Sequence, residues 1–197
     1  DDLCLMISQS GETADTLACA LMAKEKGAHL ISIVNVQGSS LYREAHANFL
    51  IKAGQEIGVA STKAFTLQVL TGYFLANTLA GNSTTSEIQS EVSLLEERIQ
   101  NLLLKHDSIK KIANSLYQSK GFIFIGRGRY FPIALEGALK LKEIAYVHAE
   151  GYASGELKHG PIALIDESMS TVALLGPELF EKSLSNVEEI KARKGVI

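Results

Sequence analysis

Leu3-Cys4-Leu5-Met6-Ile7-Ser8-Gln9-Ser10-Gly11-Glu12-Thr13 decides the fold. Six residues ending at Ser8 read as a buried strand, and the turn-prone Gln9-Ser10-Gly11 follows. Leu17, Ala20, Leu21 and Ala23 then recur at helical spacing until Gly27 stops the helix. A strand running straight into a helix through a short polar loop is the unit of an open α/β sheet. Ligands bind such sheets at the carboxyl ends of the strands.

Working outward, Leu30 to Val36 predicts a second strand and Asn48 to Ala53 a third. Short apolar runs alternating with helices predict a parallel sheet covered on both faces. Ser61 is placed to cap a helix from Thr62 to Ala80, whose nearly all-round apolar character predicts burial in a core. Gly81-Asn82-Ser83 breaks the chain, and Thr84 to Glu87 matches a capping box. The helix it opens carries Ile88, Val92, Leu95, Ile99 and Leu102 on one stripe, a pattern of ordinary helix packing.

A further helix is expected over Ser108 to Gln118, then a strand from Gly121 to Ile125 and a turn at Gly126-Arg127-Gly128. The helix Ile133 to Tyr146, a glycine-bearing connection, a strand Thr171 to Leu175 and a helix Leu179 to Lys194 complete the pattern. Two incomplete doubly wound α/β units are predicted, parallel sheets flanked by helices, over residues 1–83 and 84–197. The chain opens on Asp1-Asp2 without a starting methionine and stops at Gly195-Val196-Ile197, where another strand is about to begin. That predicts a fragment of a longer protein.

Composition narrows the function. The 197 residues hold 19 Lys plus Arg against 22 Asp plus Glu, which leaves no basic footprint for nucleic acid. An anionic ligand has to be held by local groups. No apolar run is long enough to cross a bilayer, because Thr66, Gln68, Thr71, Asn77 and Thr78 interrupt the best candidate. Cys4 and Cys19 are expected as buried free thiols, which fits a reducing, cytoplasmic setting. His29, His46, His106 and His148 show no metal spacing, and no metal or cofactor is expected.

The loop Ser8 to Thr13 offers unpaired backbone N–H groups at a helix start, a glycine for close approach, and the hydroxyls of Ser8, Ser10 and Thr13. It lacks the lysine of a nucleotide P-loop, so a single phosphate on a small molecule fits better. The plainer reading is that Ser10 caps the helix and Glu12 complements its dipole. Chemistry alone leaves both readings open, since one group can do both.

Three runs carry a resemblance: SQSGETADTL (Ser8 to Leu17), EIGVASTKAFT (Glu56 to Thr66) and ALEGALKLKEIAYVHAEGYASGELKHGP (Ala134 to Pro161). In this order they are similar to the isomerase part of the glucosamine-6-phosphate synthases, or glutamine–fructose-6-phosphate aminotransferases. That part is built of two sugar isomerase (SIS) domains. The resemblance implies that Ser8, Gln9, Ser10 and Thr13 hold the phosphate of fructose 6-phosphate. It also implies that Val59, Ala60 and Ser61 add contacts to the sugar, although Ser61 alone reads as a plain helix cap.

Lys140 and Glu143 stand three apart on one face of a helix, a spacing that is usually surface decoration. Leu135, Ala138, Leu139, Leu141 and Ile144 surround them with apolar neighbours, and a half-buried glutamate beside a lysine suits proton transfer. The resemblance implies that Glu143 moves a proton between C1 and C2 of the sugar, with Lys140 beside it. It further implies that His159 opens the sugar ring and reaches a neighbouring subunit's site, hence a homodimer.

The same resemblance implies an upstream glutaminase domain in the parent chain, an earlier strand before Asp1, and a Schiff-base lysine beyond Ile197. The chain by itself is then expected to be catalytically silent. The alternatives are another SIS phosphosugar isomerase or deglycase, or a non-catalytic sugar-phosphate sensor.

Overall fold

A computed structural model describes residues 2–81 and 85–197. The predicted break at Asn82-Ser83, the domain boundary between 83 and 84, and the start of the capping box at Thr84 lie outside the described residues. The chain divides into two compact units, 1–98 and 99–197.

The first unit opens with β1 (Leu3–Ser8), α1 (Ala14–Glu25), β2 (His29–Val34), the short α2 (Ser40–Glu44) and β3 (Ala47–Leu50). All pairings are parallel, in the order β1-β2-β3, with Ser8 level with Val34 and Val34 level with Leu50. The strand ends therefore line up, which places the loops after them along one edge of the sheet. Alternation divides the faces. On one side Leu30 and Val34 pack with Ala20, Leu41, Cys4, Met6 and Leu17. On the other, Ile33 and Ile51 pack with Ala64 and Leu67 of α3 (Lys63–Ala80). Each fully buried aliphatic chain here contributes about 1.5–3 kcal/mol.

Several expectations change. The third strand stops at Leu50, short of the predicted Ala53, because Lys52 (φ 52°) and Gly54 (φ 72°) turn the chain out of the sheet. Of α3 only Ala64 is buried, and Val69, Tyr73 and Leu79 are exposed. The helix is not enclosed in a core, since its contacts with the sheet reach only its first turns. Leu3, Leu5 and Ile7, on the sheet face that α3 covers over Ile33, are likewise exposed. Cys4 is half-buried and Cys19 exposed, so the expectation of two buried thiols fails for Cys19, which lies on the outer face of α1.

α4 (Thr85–Leu103) crosses the division between units, with Ile88, Val92 and Leu95 half-buried and Ile99 and Leu102 exposed. The second unit continues with α5 (His106–Leu116), β4 (Gly121–Gly126), α6 (Tyr130–Ala145), β5 (Ala149–Ala153), β6 (Met169–Leu174) and α7 (Phe180–Ala192). The sheet order is β5-β4-β6, all parallel. Ile123 and Ile125 face Leu157, Ile165 and Ile190, which brings α7 onto one side. Phe124 faces α6 on the other, where a methyl group on Gly137 would meet its ring at 2.9 Å.

α6 begins at Tyr130, three residues before the prediction, because Pro132 falls in the first turn, where its missing N–H is not needed. The glycine-bearing connection turns out to contain β5. Val196 makes a parallel bridge to Ser170, the start of strand-like pairing expected at the chain's last residues.

Candidate functional site

The polar loop of the first unit lies where β1 hands over to α1. The Ser8 hydroxyl accepts the Gly11 N–H at 3.0 Å and lies 3.3 Å from the Thr13 hydroxyl. The Ser10 hydroxyl accepts the Glu12 N–H at 3.2 Å. Thr13 takes the N-cap position of α1 without a side-chain cap bond, so its hydroxyl remains with Ser8. The Ser8 and Thr13 hydroxyls thus meet after a strand end at the start of α1, with the Ser10 hydroxyl in the loop between them, a surrounding suited to an anion. Ser10 is bonded to a loop amide, as the capping reading expects, but it does not take the N-cap position.

The loop's one carboxylate is engaged elsewhere. Glu12 Oε1 accepts the Ser40 N–H at 2.8 Å, and this bond holds the carboxyl below its usual range. Backbone bonds fix the loop from beneath: Asn35 N–H donates to Gln9 O at 3.0 Å and Leu41 N–H to Gly11 O at 2.9 Å. Gly11 adopts φ 67°, which favours glycine.

Asn35 also ties this loop to the next segment. Its Nδ2 donates to Gly54 O, and its Oδ1 accepts from Ala53 N–H, each at 2.8 Å. The stretch that follows holds Val59 (exposed), Ala60 (buried) and Ser61 (half-buried). Ser61 does not cap α3. The N-cap residue is Thr62, and the helix start is satisfied by Glu56, whose Oε1 accepts the Thr62 N–H at 2.8 Å. Glu56 Oε2 accepts the Ser61 hydroxyl at 3.3 Å. The Thr62 bond is the main reason the Glu56 carboxyl sits below the ordinary glutamate value.

In the second unit, Lys140 and Glu143 share a face of α6 and meet: Nζ lies 2.7 Å from Glu143 Oε2. The same ammonium is 3.3 Å from Glu136 Oε1, one turn back. Side-chain exposures of 20% for Lys140, 22% for Glu136 and 28% for Glu143 set the cluster apart from solvated surface pairs. The Glu143 contact is an ion pair off hydrogen-bond alignment, since its Oε2 is buried without a properly directed donor. Burial alone would pull the Lys140 ammonium down, but Glu143 and Glu136 outweigh it and its pKa is raised. The lysine is a fixed cation beside two carboxylates.

His159 ends a 3-10 segment, Ser154–His159, pinned by buried Ser154 and Leu157. It is exposed, and Gly160 follows with φ 147°. Ser8, Gln9, Ser10 and Thr13 therefore cluster in one loop and Lys140 with Glu143 on one helix, while His159 stands alone on its segment. Sequence reasoning passed over Asn35, Glu56 and Glu136. A lone Asn between two apolar strand residues is the signal for the first, and the i−4 spacing from Lys140 for the last. Glu56 acts across six residues, beyond the reach of local capping patterns.

Among the described residues no group of three His, Cys, Asp or Glu side chains could hold a metal ion. Among the same residues no helix is long and apolar enough to cross a membrane.

The sequence matches the SIS domain family over residues 1–78 and 115–197. It is 49% identical over 201 residues to glutamine–fructose-6-phosphate aminotransferase (isomerizing) of Chlorobaculum tepidum, covering 99% of this chain and 33% of that one. The enzyme of the same name from Bacteroides thetaiotaomicron is 48% identical over 203 residues, again 33% of its length. The chain thus spans about a third of the length of the curated relatives it matches. Among solved structures, the C-terminal domain of glucosamine-fructose-6-phosphate aminotransferase from Francisella tularensis superposes with a TM-score of 0.88 at 45% identity, over 99% of this chain and 58% of that one. Glucosamine-6-phosphate deaminase from Thermotoga maritima superposes with a TM-score of 0.85 at 26% identity, over 100% and 59%.

Proposed function

The chain belongs to the SIS domain family, and on that premise we propose that it is part of the isomerase portion of a glutamine–fructose-6-phosphate aminotransferase. In this reading it binds fructose 6-phosphate and contributes to its conversion, with ammonia from glutamine, into glucosamine 6-phosphate. The observation that carries the reading is the hydroxyl cluster of Ser8, Ser10 and Thr13 at the start of α1, with Glu12 drawn off to Ser40. Those three hydroxyls, with Gln9, take the phosphate, and hydrogen bonds from oriented donors make the site selective for a small anion. Val59, Ala60 and Ser61 contact the sugar; Glu56 holds Ser61, and Asn35 holds the preceding chain at Ala53 and Gly54.

The chemistry of the second unit follows from its carboxylates. Converting a ketose to an aldose takes a proton from C1 and returns it to C2, which one carboxylate on one face of the sugar performs. Glu143 is that base. Lys140 stays cationic and offsets negative charge that develops on the substrate's oxygens. His159 opens the closed sugar ring, a step that needs a group able to gain and lose a proton near neutral pH.

The reading extends to a cytoplasmic homodimer whose polypeptide also carries a glutaminase domain. Identities near 48% to the aminotransferases, against 26% to the deaminase, favour it over other phosphosugar enzymes of the fold.

Calorimetric titration of the chain and its Ser10→Ala variant with fructose 6-phosphate tests the proposal, with fructose and inorganic phosphate as controls. Binding that needs both sugar and phosphate and weakens at least tenfold in the variant is the expected result, a charge-assisted bond being worth about 1.5–3 kcal/mol. Equal binding by both proteins would remove the phosphate role from this loop.

A further inference from the structure

His159 has no side-chain hydrogen bond or ion pair to another described residue, so no polar partner orients its ring. Besides the buried Ser154 and Leu157, a line of four side chains reaches the backbone that carries it. Lys158, its neighbour, lies with Nζ 2.7 Å from Glu189 Oε1 on α7. Asn186, one turn earlier on α7, donates from Nδ2 to Glu189 Oε2 at 3.5 Å. Asn186 Oδ1 in turn accepts from Arg127 Nη2 at 2.8 Å. Arg127 follows the last residue of the central strand β4. The line therefore runs from the carboxyl end of the sheet, along one face of α7, to the residue before His159.

Its inner part is not surface decoration. Asn186 is 4% exposed and the Glu189 side chain 25%. Arg127 lies over the same segment further back: a methyl group on Gly155 would meet its Nη1 at 3.2 Å, and its buried Nε has no acceptor. Ser154 and Leu157 anchor the segment from inside, but both precede Lys158. Beyond His159 comes Gly160, which holds a backbone angle that glycine alone adopts readily. Lys158 is thus the last side-chain anchor before the histidine.

We propose that Arg127, Asn186, Glu189 and Lys158 are positioning residues that fix the segment carrying His159 for its work on the sugar ring. The proposal rests on the reading of His159 as the ring-opening group. None of the four touches the reacting atoms. Their effect is to hold one conformer of a terminal turn that would otherwise open locally, and catalytic geometry is sensitive to displacements of that size.

The test compares Lys158→Met with Lys158→Arg, both at a side chain 61% exposed, where the core is undisturbed. Amide exchange and the imidazole resonances of His159 are followed by NMR in this chain, with His29, His46, His106 and His148 as internal controls. Lys158→Met is expected to speed exchange at residues 157–160 roughly two- to fivefold, the range of a partly exposed ion pair, and to shift His159 alone. Lys158→Arg restores both.

In the full-length enzyme proposed above, kcat falls in Lys158→Met by a similar factor while KM for fructose 6-phosphate holds, because the phosphate loop is untouched. Unchanged exchange in Lys158→Met, or a loosened segment with unchanged kcat, overturns the proposal. Failure of the sugar-phosphate reading itself registers separately, as absent fructose 6-phosphate binding in the unsubstituted chain.

Discussion

Gly11 rests against the hydroxyl of Ser39, so closely that a methyl group on Gly11 would lie 2.1 Å from Ser39 Oγ and 2.7 Å from its Cβ. Ser39 is itself 3% exposed and its Oγ has no hydrogen-bond partner. The loop that presents Ser8, Ser10 and Thr13 is thus seated on the start of α2, and its shape depends on the missing side chain at residue 11.

Gly11→Ala is expected to abolish fructose 6-phosphate binding in a chain that still folds. The φ of 67° costs a residue with a Cβ about 1–2 kcal/mol, and the overlap with Ser39 forces the loop off its seat. Adding Ser39→Ala does not rescue binding, because the Cβ overlap remains. Ser39→Ala alone keeps binding, since that hydroxyl is bonded to no loop donor. Calorimetry on the three variants, with circular dichroism for folding, checks this; full binding by Gly11→Ala would refute the seating.

Glu56 supplies a pH dependence. Its carboxyl is held below the usual glutamate value, chiefly by the Thr62 N–H, with burial pushing the other way. A depressed folded value means that the unfolded chain binds the proton more readily. The contribution to stability is therefore complete above the unfolded value and is lost as pH falls through the folded one. Glu56→Gln is expected to lose stability at pH 7, and the gap from the unsubstituted chain should narrow below roughly pH 4. Urea melts at pH 7 and near pH 3 measure the gap, and one that stays constant with pH would remove this role.

The first unit's frame was legible because its signals are local: an apolar run ending at Ser8, a turn at Gln9 to Gly11, and helical spacing from Leu17 to Ala23. β5 was not, because Ala149-Glu150-Gly151-Tyr152-Ala153 has neither alternation nor an apolar run. It is a strand because it pairs with β4 and lies under α6, a relationship between distant segments. α3 misled for the opposite reason. Its composition says that it prefers burial, but composition does not say how far along its length a sheet lies against it. At the candidate site, the Lys140–Glu143 pair followed from spacing, and the i−4 spacing of Glu136 was an equally local signal passed over, while the capping role of Glu56 emerged only from the fold.

Gly151 gives a direct test of that hidden strand. A methyl group there would lie 2.7 Å from Leu135 Cα and 2.8 Å from its N, backbone atoms that cannot swing aside. Gly151→Ala is expected to destabilise the second unit by about 1–3 kcal/mol. Gly72, in the middle of α3, has nothing within 4 Å of the same position. Gly72→Ala should stabilise by about 0.5–1 kcal/mol through helix propensity. Thermal melts that rank the two variants the other way would contradict the close approach of α6 to β5.

Lys140 is the group on which the carboxylates of α6 depend. With the ammonium 2.7 Å from Glu143 Oε2 and 3.3 Å from Glu136 Oε1, its removal leaves two half-buried carboxylates, each one turn from residue 140, with no cation between them. Lys140→Met is expected to cost about 1–2 kcal/mol, less than a fully buried pair because each side chain is 20–28% exposed. The loss should be smaller in a Glu136→Gln background, where only one charge is stranded, so a double-mutant cycle gives a nonzero coupling. Lys140→Arg, which keeps a cation between the carboxylates, is expected to retain most of the stability. Additive stabilities in the cycle would reduce Lys140 to a surface residue.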